Sequence, residues 1–435
     1  MSRGRLVTLS LSGLALLALT SPALNFQSQN DFTRFLATVL LQGAVYLIAV
    51  WSVWRLGSSR RVVLGIAAIA VLMRIPVVLS PPYLSTDVYR YVWDGRVIAA
   101  GINPYRYVPA DPHLEALRDT EIFPNINRAD SAVTIYPPFA EVIFLTVTRV
   151  SESVTAMKAA MVGFELITFV LLVSLLAAES LPTGRVAVYA WHPLVLWEFA
   201  GSGHIDAALI ALVMAALWAA RRGGGGLMGL FLAGATLTKL YPAVLLPAFF
   251  RRWRWAMPLI FVAGIIVGYL PFIGVGWRVF GFLPGYAGEE GFDAGGAGFY
   301  LLSLLRYWPP LTGLSGQAYV IGAAALLVAL AAAIVLTRDN TGSPAAAVLA
   351  ATFTILVSPH YPWYFAWLIV FACFIRSVAL LWLTTACLLL YLVPVGLHIV
   401  RNDYRLAVES MIYGPFAALA LLDLWYYRRR ATRSS

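Results

Sequence analysis

The chain has 435 residues, 60% hydrophobic and 12% charged, with a net charge of +10 and a mean hydropathy of +0.79. Soluble domains carry about 25% charged residues, so this composition excludes a water-soluble fold and specifies a polytopic membrane protein. Nucleic acid is not the partner that the positive balance implies. The basic residues fall in short clusters between apolar runs ("MSRGR", "RLGSSRR", Arg221 and Arg222, "RRWR" at 251–254, "RRRATR" near the end), which is how the positive-inside rule records orientation.

A membrane helix needs roughly 20 apolar residues. In chain order the sequence predicts spans at 5–22, 34–54, 62–80, 134–150, 158–178, 204–220, 255–276, 316–336, 344–358, 361–376, 378–396 and 407–426. The first has a basic start and a "TSPA" end, so it is either a cleaved signal peptide or the first crossing, and segment 34–54 keeps its orientation in both cases. Two apolar stretches do not fit as simple crossings. Segment 185–203 would put Arg221 and Arg222 outside if it crossed, and segment 227–250 has basic clusters at both ends. A half-helix at the outer face and a re-entrant hairpin, respectively, keep every basic cluster inside. Irregular backbone at membrane depth is tolerated only where it lines a protein-enclosed cavity, so the topology itself points to a site.

The expected fold class is therefore all-α, a polytopic membrane helix bundle forming one domain over residues 1–435. Twelve spans plus the half-helices put both termini in the cytoplasm and loop 81–133 on the outer face of the cytoplasmic membrane. Cys373 and Cys387 sit inside apolar segments without zinc spacing and read as core- or lipid-facing.

The polar residues that carry chemistry fall on that outer face. Loop 81–133 opens with "STDVYRYVWDGR", in which Asp87 and Asp94 are seven residues apart and share one helical face. Tyr89, Tyr91 and Trp93 are interfacial aromatics. Either Asp87 and Asp94 pair with Arg90 and Arg96 on a solvated helix, or one of them is a general base. A base must sit within hydrogen-bond reach of the hydroxyl it activates, and a helix end leaving a rigid bundle fixes such a position. Asp87 is the one nearer the membrane.

The next stretch is "WHPLVLWEFAGSGHIDAALI", where Glu198, His204 and Asp206 interrupt apolar sequence. Ionisable groups in such a setting are candidates for function. A helix cap by Ser202 or Asp206 accounts for Asp206 alone. A metal site built from His204, Asp206 and Asp87 lacks a diagnostic spacing. In "TLTKLYPAVLLP", Lys239 is the lone charge of a 24-residue apolar stretch. Such a lysine either snorkels to the interface or meets an anion, and a lipid phosphate is the obvious one. In "SPHYPWYFAW" and "GLHIVRNDYR", His360, His398, Arg401 and Arg405 gather near one face. Arginine forks suit a phosphate, while Asp403 offers a plainer local partner.

In order along the chain, these motifs resemble the GT-C superfamily of polytopic glycosyltransferases that use polyprenyl-phosphate sugars. "STDVYRYVWDGRVIAAGINPYRY", "HPLVLWEFAGSGHIDAAL", "LTKLYPAVLLP" and "SPHYPWY" look most like bacterial mannosyltransferase-type members near glycosyltransferase family 87, over residues 62–375. The resemblance implies an inverting hexosyltransferase, with mannose the favoured sugar and Asp87 the catalytic base. Asp94, Arg90, Glu198, His204 and Asp206 are then expected to bind substrate, and Lys239, His360, Arg401 and Arg405 the donor phosphate. The implied partners are a polyprenyl-phosphate sugar donor, a glycan or glycolipid acceptor and membrane lipids. Asp87 is followed by Val88 where the superfamily often has a second acid, so a metal-binding pair is in doubt there, and no cofactor is expected. The chain carries neither a G-x-G-x-x-G nor a P-loop, consistent with a lipid-borne donor. The competing class is a transporter or flippase of lipid-linked saccharides. Its paired inverted repeats are not visible, since "GHIDA" and "TKLYP" occur once each.

Overall fold

A computed structural model describes residues 3–24, 31–57, 59–250, 254–289, 298–337, 342–393 and 403–434. Among the described residues every regular element is helical and none is a strand. The first six helices are α1 (Arg3–Leu24), α2 (Phe32–Val53), α3 (Arg60–Leu79), α4 (Asp87–Ala99), α5 (Pro138–Thr148) and α6 (Val154–Ala178). Among the described residues, seven helices are long and apolar enough to cross a membrane alone, and eight if the bent pair Pro193–Gly201 and Asp206–Arg221 counts as one crossing. The other segments read as crossings are shorter apolar helices: Pro138–Thr148, Ser343–Val357, Pro362–Phe374 and Val378–Leu392.

α1 is packed into the bundle antiparallel to α2. Arg5 Nη1 donates to the Arg55 carbonyl at 3.2 Å, and Gln42 Nε2 donates to Thr20 Oγ1 at 3.2 Å. Helices Asp206–Arg221 and Ala366–Phe374 are apolar nearly all round and buried nearly all round, which puts them at the centre. The polar ends of α3 are satisfied from a distance. Its last carbonyls, Val77 O and Ser80 O, accept from buried Lys158 Nζ at 2.9 and 2.5 Å, a cation at a helix C-terminus.

The irregular backbone lies where the topology required it. Between Thr183 and Gly201 the chain makes only short turns, ending in a π-turn over Leu196–Gly201, then bends by 119° into helix Asp206–Arg221. Gly203 makes the bend at φ +75°, and a Cβ there would lie 3.0 Å from Val88. Helix Gly225–Thr238 stops at Lys239, whose backbone is extended, because Pro242 lacks the N–H that the next turn needs. Both ends of this segment border one cavity of about 430 Å3. Gly225 and Gly226 meet Ala248 and Phe249 there, beside Arg221 and Arg254, so the segment is a hairpin whose tip carries Lys239 away from that face.

Several described arginines near that face meet helix C-termini. Arg376 donates to Trp54 O at the end of α2, and Arg185 donates to Phe374 O at 3.2 Å. Arg221 pairs with Glu179 just past α6 at 2.5 Å. Cations are favoured at such ends.

Candidate active site

At the tip of the hairpin, the start of α4 and residues 361–364 enclose a cavity of about 750 Å3. Of the residues singled out in the sequence, Asp87, Arg90 and Lys239 border it, and its apolar wall is aromatic, with Tyr83, Tyr136, Tyr361 and Trp363.

Asp87 is the first residue of α4, after the "SPPYL" break, so its carboxylate faces the positive end of the helix dipole. Asn127 Nδ2 donates to its Oδ1 at 2.8 Å. Asn127 stands at a turn where Arg128 takes φ +53°, a left-handed conformation that costs free energy and concentrates at functional sites. Asp87 Oδ2 has no partner among the described residues. One oxygen is therefore oriented and the other is available to the cavity.

Asp206 is placed differently. Its Oδ2 accepts from Lys239 Nζ at 2.7 Å and its Oδ1 from the Tyr241 hydroxyl at 2.9 Å. With both oxygens engaged it serves as a counter-ion, and its two partners form part of the cavity wall. Lys239 Nζ also sits 4.5 Å from the centre of the Tyr364 ring. The lysine therefore does not snorkel. It is held at the cavity by a carboxylate and a π-face.

Glu198 and His204 are fully buried behind the wall instead of on it. The His204 ring packs edge-on against Trp363, centroids 4.2 Å apart, and Trp363 stacks on Tyr361 at 4.5 Å. The Tyr391 hydroxyl donates to Glu198, whose Oε2 is 3.9 Å from His204 Nδ1. Neither Glu198 nor His204 borders the cavity that Asp87, Arg90 and Lys239 share.

Asp94 likewise does not border the cavity. It is buried, not solvated, and its Oδ1 takes Arg90 Nε at 2.8 Å. Burial pushes its carboxyl above the usual range, with the Arg90 guanidinium and the Thr134 hydroxyl pulling the other way. Arg96 turns outward to Asp119 and Glu152, both at 2.7 Å.

His360 and Arg405 lie in a separate buried cluster. His360 Nε2 is 3.1 Å from the Gly298 carbonyl, and Arg405 faces Glu409 one turn along its own helix at 3.6 Å. Neither borders the cavity, because a buried guanidinium takes the nearest carboxylate. Arg401 and His398 fall outside the described residues. Among the described residues no group of three or more His, Cys, Asp or Glu side chains is arranged to hold a metal ion.

Sequence reasoning missed Asn127, Tyr241 and Trp363. Tyr241 had a local signal, two positions from Lys239 in "TKLYP"; Asn127 had none, being 40 residues from Asp87.

Residues 6–257 match the profile of the alpha-(1->6)-mannopyranosyltransferase family, N-terminal domain. No curated protein and no solved structure matches the chain significantly. The matched stretch holds α4, the bend at Gly203 and the hairpin tip, which together bring Asp87, Asp206 and Lys239 to one place. This multi-pass membrane protein belongs to the alpha-(1->6)-mannopyranosyltransferase family and is a glycosyltransferase that transfers mannose.

Proposed function

We propose that the mannosyl donor is a polyprenyl-phosphate mannose, that transfer inverts the anomeric carbon, and that Asp87 is the general base. The acceptor hydroxyl, on a glycan or glycolipid, gives its proton to Asp87 Oδ2 as its oxygen bonds to the anomeric carbon. The bond from that carbon to the phosphate oxygen breaks, and the lipid phosphate leaves with the electron pair. Lys239 stabilises the charge that grows on the phosphate, where electrostatic catalysis has most to offer. An inverting enzyme makes an α-linkage only from a β-linked donor, so the donor sugar is β-linked if the product follows the family's description. The basic face of the bundle then lies in the cytoplasm and the cavity opens toward the outer leaflet of the cytoplasmic membrane.

The observation that carries this reading is that one cavity presents an oriented carboxylate with a free oxygen and an ammonium group, between walls of aromatic rings that suit a sugar face. The test is incubation of purified protein with a panel of radiolabelled polyprenyl-phosphate sugars, with and without EDTA. Transfer from the mannose donor, absent in Asp87→Asn, supports the reading. Transfer from a nucleotide sugar alone sinks it.

A further inference from the structure

Arg90 follows Asp87 by three residues on α4, just under one turn, or about 4.5 Å along the helix axis. It is 5% exposed, yet it borders the cavity. Its donors are divided in an informative way. Nε is given to Asp94 Oδ1 at 2.8 Å and Nη1 to the Ala132 carbonyl at 3.0 Å. Nη2 has no partner among the described residues. A guanidinium is planar and rigid, so fixing two of its nitrogens fixes the direction of the third.

The group behind it is built to hold that direction. Asp94 is 1% exposed and Glu141, on α5, is fully buried. The Thr134 hydroxyl donates to Glu141 Oε1 at 2.6 Å. Gly95 lets the two helices meet closely, since a Cβ there would lie 2.6 Å from the Phe144 carbonyl. A plain structural ion pair satisfies its arginine inside the protein. Here two buried carboxyls stand behind one guanidinium and leave its outer amino group for the cavity.

We infer that Arg90 binds the phosphate of the lipid-linked donor, and that Asp94, backed by Thr134 and Glu141, is the positioning residue that aims it. The inference rests on the proposed lipid-phosphate donor. It moves the phosphate-binding arginine from Arg405, which is engaged with Glu409 away from the cavity, to the arginine one turn from the base. Arg90 and Lys239 then flank the leaving group, each contributing a charge-assisted donor.

The test compares binding of farnesyl phosphate and farnesol to the full-length protein in nanodiscs, with melting temperature as a control. The wild type is expected to prefer the phosphate. Arg90→Gln strands a buried Asp94, so the informative variant is Arg90→Gln with Asp94→Asn, which removes the pair together. It is expected to keep the wild-type Tm and farnesol affinity while losing at least about tenfold in farnesyl phosphate affinity. Asp94→Asn alone is expected to lose part of the preference for phosphate, a readout that a merely structural role would not move. Where the double variant fails to fold, Arg90→Lys carries the same comparison, since an ammonium keeps the charge but cannot reach from Asp94 into the cavity. A wild type that does not distinguish phosphate from alcohol sinks the donor reading and this inference together. A wild type that does, with the preference unchanged in the arginine variants, overturns this inference and leaves Lys239 as the phosphate ligand.

Discussion

Asp87→Asn is the sharpest perturbation the structure offers. Asn127 Nδ2 donates to Asp87 Oδ1 at 2.8 Å, and an asparagine carbonyl accepts that bond as well, so the side chain keeps its place while losing its basicity. Loss of a positioned general base costs about 10²–10⁴ in rate, or about 2.7–5.4 kcal/mol of transition-state stabilisation. Asn127→Ala keeps the carboxylate and removes only its tether, a hydrogen bond to a charged group worth about 1.5–3 kcal/mol. If all of that is orientation, turnover falls about ten- to a hundredfold, short of the loss in Asp87→Asn. Asp206→Asn makes the contrast. Both oxygens of Asp206 are engaged, so its loss should loosen Lys239 and Tyr241 and act on donor binding more than on the chemical step. The assay is single-turnover transfer from labelled polyprenyl-phosphate mannose at saturating donor, which separates chemistry from binding. If Asp206→Asn abolishes the chemical step while Asp87→Asn retains it, the two acids have been given each other's roles and the mechanism is refuted.

Further outcomes follow from the same geometry. Arg74 and Glu165 form a buried ion pair at 2.5 Å between α3 and α6, so Arg74→Met should destabilise by about 3–5 kcal/mol, while the paired change Arg74→Met with Glu165→Leu should recover most of that Tm loss. Gly95→Ala forces a Cβ to within 2.5 Å of Thr148 Oγ1 and 2.6 Å of the Phe144 carbonyl, and should cost about 1–3 kcal/mol, read by thermal unfolding in detergent. Burial alone would raise the Asp119 carboxyl, but the hydrogen bonds from Arg96 and from the Phe123 and Ile122 amides bring it down to about 2. A depressed carboxylate stabilises above its unfolded pKa of about 3.9, and that contribution disappears as pH falls through the folded value. Proteolytic resistance of loop 100–133 should therefore drop between pH 4 and pH 2 in the wild type and be flatter across that window in Asp119→Asn. Cysteines introduced at Glu121 and Arg222, both exposed, test orientation, because the native Cys373 and Cys387 are buried. An impermeant maleimide should label the first from outside the cell and spare the second; the reverse pattern would invert the topology.

Membrane character, the all-helical class and the two irregular segments were legible in the sequence, because insertion depends on local quantities. A run of apolar residues and the charges flanking it decide whether a segment crosses, and a lone Lys239 beside Pro242 marks a break within one window. Asp87 and Asp94 were legible as acids that a helix would place on one face, because their seven-residue spacing is a local property. Which groups meet was decided only by the tertiary structure. Lys239 is held by Asp206 from 33 positions away, Asp87 by Asn127 from 40, and Glu198 by Tyr391 from 193. Arg405 looked like a phosphate ligand because its neighbours carry charge, yet packing gave it Glu409 on its own helix. Arg90 looked like half of a surface pair, yet packing buried that pair against α5 and left one nitrogen at the cavity. A buried charge takes whichever partner packing brings within reach, and that choice is long-range. Hydropathy sets where the chain turns back; the fit of helix against helix sets which side chains share the space between them.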